Sequence, residues 1–191
     1  MKIYIKSAVI DPSEESDDVR YTIVRNKNTR PETLRELAKD ESLSIRFGVA
    51  RHKNTSQDVL DELAYDTSEN IQEAVAANQN TSAETLRHLY FENRDNPSTR
   101  IAAYVIKNPN VPTDLLSDAV WNAPHLRAAV AVNDVTPLDL LEVLATSSDY
   151  MVRYWVPSNP NVSVELLEQL SHDRESQVRE NALEYLEKLG K

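Results

Sequence analysis

The side chains able to do chemistry are few in kind. The 191 residues include no cysteine, which excludes disulfides, thiolate metal sites and cysteine nucleophiles. Four histidines, His52, His88, His125 and His172, lie 36, 37 and 47 residues apart. None has a second histidine or a paired carboxylate at the spacing that sets two ligands on one helix face. They read as surface or rim residues. Signatures of the G-x-S-x-G and H-E-x-x-H kind are absent, and two glycines leave no Gly-rich phosphate loop. Carboxylates abound, but pairs such as Asp61 and Glu62 read as a solvated helix face. No catalytic residue, metal or cofactor is expected, and the chain reads as a non-enzyme.

Charge carries more information. Lysine and arginine number 21 against 31 acids, a net charge of −10. That balance speaks against a general nucleic-acid binder and for steering toward basic partners. The distribution is uneven. Residues 19–30 and 45–57 contain Arg20, Arg25, Lys27, Arg30, Arg46, Arg51 and Lys53 and no acid, whereas 31–44 nets −2 and 58–69 nets −5. The large aromatics form a second group: Tyr104, Trp121, and the adjacent Tyr154 and Trp155.

The elements that position these groups follow from an internal repeat. Asparagine-centred turns recur as NKNT at Asn26, HKNT at His52, NQNT at Asn78, NPNV at Asn108, NDVT at Asn133 and NPNV at Asn159, spaced 26, 26, 30, 25 and 26 residues apart. Each is preceded by a short apolar stripe, as in Ile45, Val49 and Ala50, at helical spacing. Each is followed by a pair three apart: Leu34/Leu37, Leu60/Leu63, Leu86/Leu89, Leu116/Ala119, Leu141/Leu144 and Leu167/Leu170. The unit therefore reads as two helices. Asparagine should end the first, because it tolerates the left-handed conformation and bonds its own backbone. Thr29, Thr55, Thr81 and Thr136, three residues before Glu32, Asp58, Glu84 and Asp139, should start the second as capping boxes. Pro112 and Pro137 should open their helices at the first helical position.

One such unit cannot bury its own stripe, so neighbours must stack. The expected fold is all-α: a right-handed α-solenoid of about six two-helix repeats of ~26 residues over 19–191, closed by a capping helix with Leu183, Leu186 and Leu189. The longest spacing marks an insertion near Glu92 to Pro97, read as a longer loop. Residues 1–18 differ: a strand-like alternation over 1–10, then an acidic linker over 11–18. That strand either caps the first repeat or pairs with a partner or a second copy, giving a homodimer. The first ten residues lack a secretory h-region, and no apolar run is long enough to span a membrane. A cytoplasmic protein is expected, and a small acidic chain without cysteine suits a bacterial or phage setting.

The unit V-R-x-x-V-A-x-N-x-N-T-x-x-x-x-L-x-x-L-A-x-D resembles the variant leucine-rich repeat family. Ile45, Arg46, Val49, Ala50, Asn54, Thr55, Leu60, Leu63, Ala64 and Asp66 show the match. It is similar, more loosely, to HEAT repeats. The resemblance implies alternating α and shorter, sometimes 3-10, helices without strands. It also implies a cysteine-bound iron–sulfur cluster in one family member. That cluster cannot carry over to a chain without cysteine.

Superposed repeats align equivalent residues. Arg20, Arg46, Arg127, Arg153 and Arg179 share one position and should latch onto acids such as Asp40 and Asp66. Arg25 aligns with Arg51, and Lys27 with Lys53. Equivalents of Arg25 in later units vary in chemistry, so these four are candidates for a binding patch rather than a folding ladder. Tyr104 and Trp155 share a position where other units carry Thr22, Gly48, Ala74 and Ala129. With Tyr154 and Trp121 they are candidate aromatic anchors, because Trp, Tyr and Arg dominate interface hot spots. The function expected is a scaffold presenting a curved repeat surface to a protein or peptide. The alternative is an acidic decoy that blocks the basic channel of a nucleic-acid-processing enzyme.

Overall fold

The structure is a computed structural model that describes residues 16–190. The strand-like segment, most of the acidic linker and the pairing proposed for them lie outside the described residues. The last two acids assigned to the linker, Asp17 and Asp18, instead form the first turn of a helix, where carboxylates face the positive end of the dipole.

The chain divides into two compact units, Met1–Asn80 and Thr81–Lys191. In the first, helices α1 (Asp17–Arg25), α3 (Leu43–Arg51) and α5 (Glu69–Ala77) pack side by side, and α2 (Pro31–Leu37) and α4 (Gln57–Leu63) alternate with them. In the second, α7 (Ile101–Lys107), α9 (Arg127–Ala131) and α11 (Tyr150–Trp155) form one layer. Helices α8 (Thr113–Asn122), α10 (Leu138–Ala145) and α12 (Val164–Leu170) form the other. The unit opens with α6 (Ala83–Asn93), closes with α13 (Ser176–Lys188), and has 3-10 turns at Pro124–Leu126 and Val156–Ser158. No strand occurs among the described residues. All six pairs three apart are buried, as are Ile45, Ile71, Ile101, Val152 and Val178 on the first helices.

The asparagine turns work differently from the expectation. Among the described residues no non-glycine residue has a positive φ. Asn26, Asn78 and Asn108 end their helices in an extended conformation, with φ between −75 and −68°. What selects asparagine is its side chain. Each Oδ1 accepts from the amide two residues on, at 2.9 Å for Asn78, Asn108 and Asn159. The Nδ2 groups then donate to the preceding turn: Asn78 to the carbonyls of Ala50 and His52 at 2.7 and 3.2 Å, and Asn159 to those of Ala131 and Asn133, both at 2.8 Å. The second asparagine of the turn repeats the device. Asn54 reaches Lys27 and Thr29, Asn80 reaches Lys53 and Thr55, and Asn161 reaches Asp134 and Thr136. A turn carbonyl buried between helices needs a donor, and a carboxamide carries two donors beside its acceptor.

His52 replaces the first asparagine of its turn. It is buried, not a rim residue: Nε2 bonds the Asn26 carbonyl and Nδ1 accepts from the Asn54 amide, each at 3.0 Å. This pattern corresponds to the Nε2–H tautomer. The surface reading holds for His125 and His172, which are exposed, and His88 is half-buried.

The threonines are also reassigned. Thr29, Thr55 and Thr136 donate Oγ1–H back to Ile23, Val49 and Val130, at 2.5 to 2.6 Å, satisfying carbonyls at the end of the first helix. The N-cap is one residue later: Arg30, Ser56, Ser82, Pro112, Pro137 and Ser163. Ser82 and Ser163 accept from the helix at Thr85 and Leu166. Pro112 and Pro137 thus precede their helices rather than opening them.

The insertion is helical in its first part. Helix α6 has 11 residues where α2 and α4 have 7, which is one more turn, and only the remainder is loop. The capping helix buries Val178, Ala182 and Leu186, whereas Leu183 and Leu189 are more than half exposed. The buried set follows an i, i+4, i+8 stripe, and Leu183 lies off it.

Candidate functional site

The arginines that recur at one repeat position are structural. Arg46 grips Asp66 with Nε and Nη2 at 2.7 and 3.3 Å, and its Nη1 donates to the carbonyls of Asp40 and Glu41. Arg153, only 4% exposed, holds Asp173 at 2.7 and 2.9 Å and the carbonyls of Ser147 and Ser148. Arg20 pairs with Asp40 at 2.7 Å. Arg127 donates to Val120, and Arg179 to the carbonyls of Asp173 and Arg174. Each guanidinium thus closes loops between helices, which its planar fork suits. Arg153 holds the Asp173 carboxyl below the usual carboxylate range against the opposing effect of burial. Burial pushes Asp66 up, and the bonds from Arg46 and the Ser68 amide outweigh it, leaving that carboxyl low.

The four variable cations behave differently. Arg25, Lys27, Arg51 and Lys53 are all exposed, and none makes an ion pair among the described residues. They belong to the first unit, on the packed helices α1 and α3 and the turns that follow. Sequence reasoning missed their neighbours. The Arg25 guanidinium lies over the Tyr21 ring and that of Arg51 over the Phe47 ring, each 5.5 Å from the centroid. Tyr21 is 45% exposed and Phe47 half-buried. The signal was available, because residues four apart on a helix meet and arginine stacks on aromatic faces. The result is an aromatic row, an arginine row and a lysine row, each carried by two successive repeats.

The four aromatic candidates do not make one site. Tyr104 is half-buried on α7 with Arg100 over its ring at 5.8 Å. Tyr154 and Trp155 meet edge to face at 5.1 Å on α11. Trp121 stands on α8, in the other layer, and is 61% exposed. A polar cluster lies beside it. Asp118 accepts from Tyr90 Oη, Arg94 Nη1 and Asn122 Nδ2 at 2.8, 2.7 and 2.8 Å. Burial raises the Asp118 pKa, and these three donors more than reverse it. Burial first, and then the Asp118 carboxylate, keep the Tyr90 phenol protonated well above its usual range.

Among the described residues no group of histidines and carboxylates is placed to hold a metal ion. No described helix is long and apolar enough to cross a membrane.

One solved structure, described as "a leucine-rich repeat variant with a novel repetitive protein structural motif", matches over 90% of this chain and 67% of its own, with a TM-score of 0.60 and 22% identity. The chain has the fold of the leucine-rich repeat variant. It is an all-α solenoid of two-helix repeats. At that identity the likeness shows fold alone, and folds of this kind carry function in the surfaces grafted on them. No family model matches the sequence, and no curated protein matches it. The variant-repeat fold explains why the arginine latches and asparagine turns recur along the chain while the pattern of Arg25, Lys27, Arg51 and Lys53 is confined to two repeats: the former join repeats, the latter are exposed.

Proposed function

We propose that this protein is a non-enzymatic binding scaffold that takes an acidic segment of a protein partner on the outward rows of α1 and α3. The observation that carries the reading is the repeated Tyr21–Arg25 and Phe47–Arg51 stack, followed at each turn by Lys27 or Lys53. The arginines stacked over rings are already partly ordered, so less side-chain freedom is lost when they bind carboxylates. Residues 19–30 and 45–57 carry no acid, so nothing on these segments competes for those cations. The recognition is electrostatic with an aromatic base, as at hot spots rich in arginine and tyrosine.

The test uses a labelled peptide alternating glutamate and serine, with binding followed by fluorescence anisotropy. The double variants Arg25→Glu/Arg51→Glu and Lys27→Glu/Lys53→Glu should each weaken binding at least ~tenfold, about 1.4 kcal/mol. Their circular dichroism should match that of the unaltered protein, because all four side chains are exposed. Unchanged affinity in both variants, or binding that does not weaken as salt rises past the level where the Debye length is about 8 Å, would sink the reading.

A further inference from the structure

The second unit presents a different face. Phe91 on α6 and Trp121 on α8 are 51% and 61% exposed, and both are the second residue after the buried pair of their repeat, Leu86/Leu89 and Leu116/Ala119. Arg94 ties this region together, lying 5.3 Å from the Phe91 ring centroid and 2.7 Å from Asp118. Asn122, next to Trp121, bonds the same carboxylate. Two large rings thus stand exposed beside a polar cluster: Arg94 lies over Phe91 and Tyr90 meets it edge to face at 5.3 Å, whereas Trp121 is the more exposed of the two.

The layer that carries Trp121 is charged in one sense. Helices α8, α10 and α12 contain Asp114, Asp118, Asp139, Glu142, Glu165 and Glu168 and no lysine or arginine. The repeat has a way of neutralising such acids. The residue after the first leucine of the buried pair is Arg35 in one unit and Arg87 in another, and each bridges to the acid two residues before the next pair, Asp58 and Asp114. Between α10 and α12 the same two positions are Glu142 and Glu165. The arginine of those two repeats is replaced there by a second carboxylate, as it also is in the sequence at Asp61 and Glu84. Glu142 and Glu165 are exposed, and neither has an ion pair among the described residues.

We infer that this face, from Phe91 and Trp121 to Glu165, is a docking surface for a lysine- and arginine-rich segment of a protein partner. Its Trp121 ring offers a face to cations, and Glu142 and Glu165 accept the charge that Arg35 and Arg87 supply at the equivalent position of two other repeats. A basic occupant is also what the net charge of −10 steers inward. The surface is distinct from the rows of α1 and α3, and its partner has the opposite charge. The protein then joins an acidic segment to a basic one.

The experiment uses a labelled synthetic peptide alternating lysine and arginine with serine, read by anisotropy against the full chain. A second readout is Trp121 emission in a Trp155→Phe background, where Trp121 is the one remaining indole. Binding should be saturable, should shift the Trp121 emission, and should weaken at least ~tenfold both in Trp121→Ala and in Glu142→Lys/Glu165→Lys. Arg25→Glu/Arg51→Glu should leave it unchanged, which separates this inference from the proposed function. Because these side chains are exposed, the variants should keep the circular dichroism of the parent, and Glu142→Gln/Glu165→Gln gives a milder second test with a smaller loss. Equal affinity of Trp121→Ala and the parent would reduce the interaction to unspecific charge and overturn the proposal. So would absence of binding, or equal binding of the glutamate–serine peptide to this face.

Discussion

Replacing Asn159 by alanine tests the account of how successive repeats are joined. The side chain is 2% exposed and makes three bonds, to the carbonyls of Ala131 and Asn133 and from the amide of Asn161. Their fates differ. The Asn133 carbonyl keeps the Thr136 amide as a donor at 3.0 Å, so its loss is small. The Asn161 amide belongs to an exposed residue that water can reach. The Ala131 carbonyl ends a buried first helix, and leaving a buried acceptor unpaired costs about 1–3 kcal/mol. With the two lesser bonds at ~0.5 kcal/mol each, the expected loss is about 2–4 kcal/mol. Asn28 is the control. It occupies the position of Asn54, Asn80 and Asn161 in its turn but is exposed, and its side chain reaches no earlier turn among the described residues. Asn28→Ala should therefore change stability by no more than ~0.5 kcal/mol. Urea unfolding followed by circular dichroism, with the slope unchanged between variants, measures both. If Asn159→Ala loses no more than Asn28→Ala, the ladder of carboxamides does not hold the repeats together and the reasoning is wrong.

Arg153→Met should lose about 3–5 kcal/mol, because it leaves the Asp173 carboxylate, 8% exposed, without its bidentate partner, whereas Arg87→Met, on a solvated pair, should leave the unfolding midpoint unmoved. Asp66, Asp118 and Asp173 have folded-state pKa values below the ordinary one. The unfolded chain therefore takes up protons first as pH falls, so stability is full above about pH 5 and declines through the ordinary carboxylate value near ~3.9 and below. A midpoint in urea that rises between neutral pH and pH ~3 would contradict this. Gly48→Ala gains up to ~1 kcal/mol in helix propensity, but its Cβ would lie 2.9 Å from Cγ1 of the buried Val24. Crowding of ~1–3 kcal/mol against a stiff β-branched side chain should win, giving a lower thermal midpoint. A raised one would mean that α1 and α3 separate freely.

The repeat, its two-helix unit and the buried pairs were legible because 3.6-residue periodicity and a fixed spacing report directly on burial. The arginine latches were legible for the same reason. Asp40 and Asp66 return with the period that Arg20 and Arg46 keep, so Arg20, Arg46 and Arg153 each meet an acid at a fixed step along the chain, whereas Arg127 and Arg179 donate to backbone carbonyls. The variable cations Arg25, Lys27, Arg51 and Lys53 could be separated from them because only residues that join repeats must repeat. The rings beneath the arginines were missed, although an aromatic four residues before each is a local signal.

Other features belong to the tertiary structure alone. The threonines of the turns look like helix caps in sequence, but in the fold their hydroxyls donate back to the carbonyls of Ile23, Val49 and Val130. An asparagine in a turn is consistent with a left-handed residue or with a donor to another turn. Only packing of one turn on the next places the Ala50 and Ala131 carbonyls where Asn78 and Asn159 can reach them. His52 looks like a surface histidine until that same packing buries its ring against Asn26. Trp121 seemed to belong with Tyr104, Tyr154 and Trp155 by residue type, and the alternation of layers sets it on the other one. Sequence determined which residues repeat, because repetition is a one-dimensional property. The fold decided which buried polar group meets which and which ring faces water, because those depend on distances between turns some 26 residues apart.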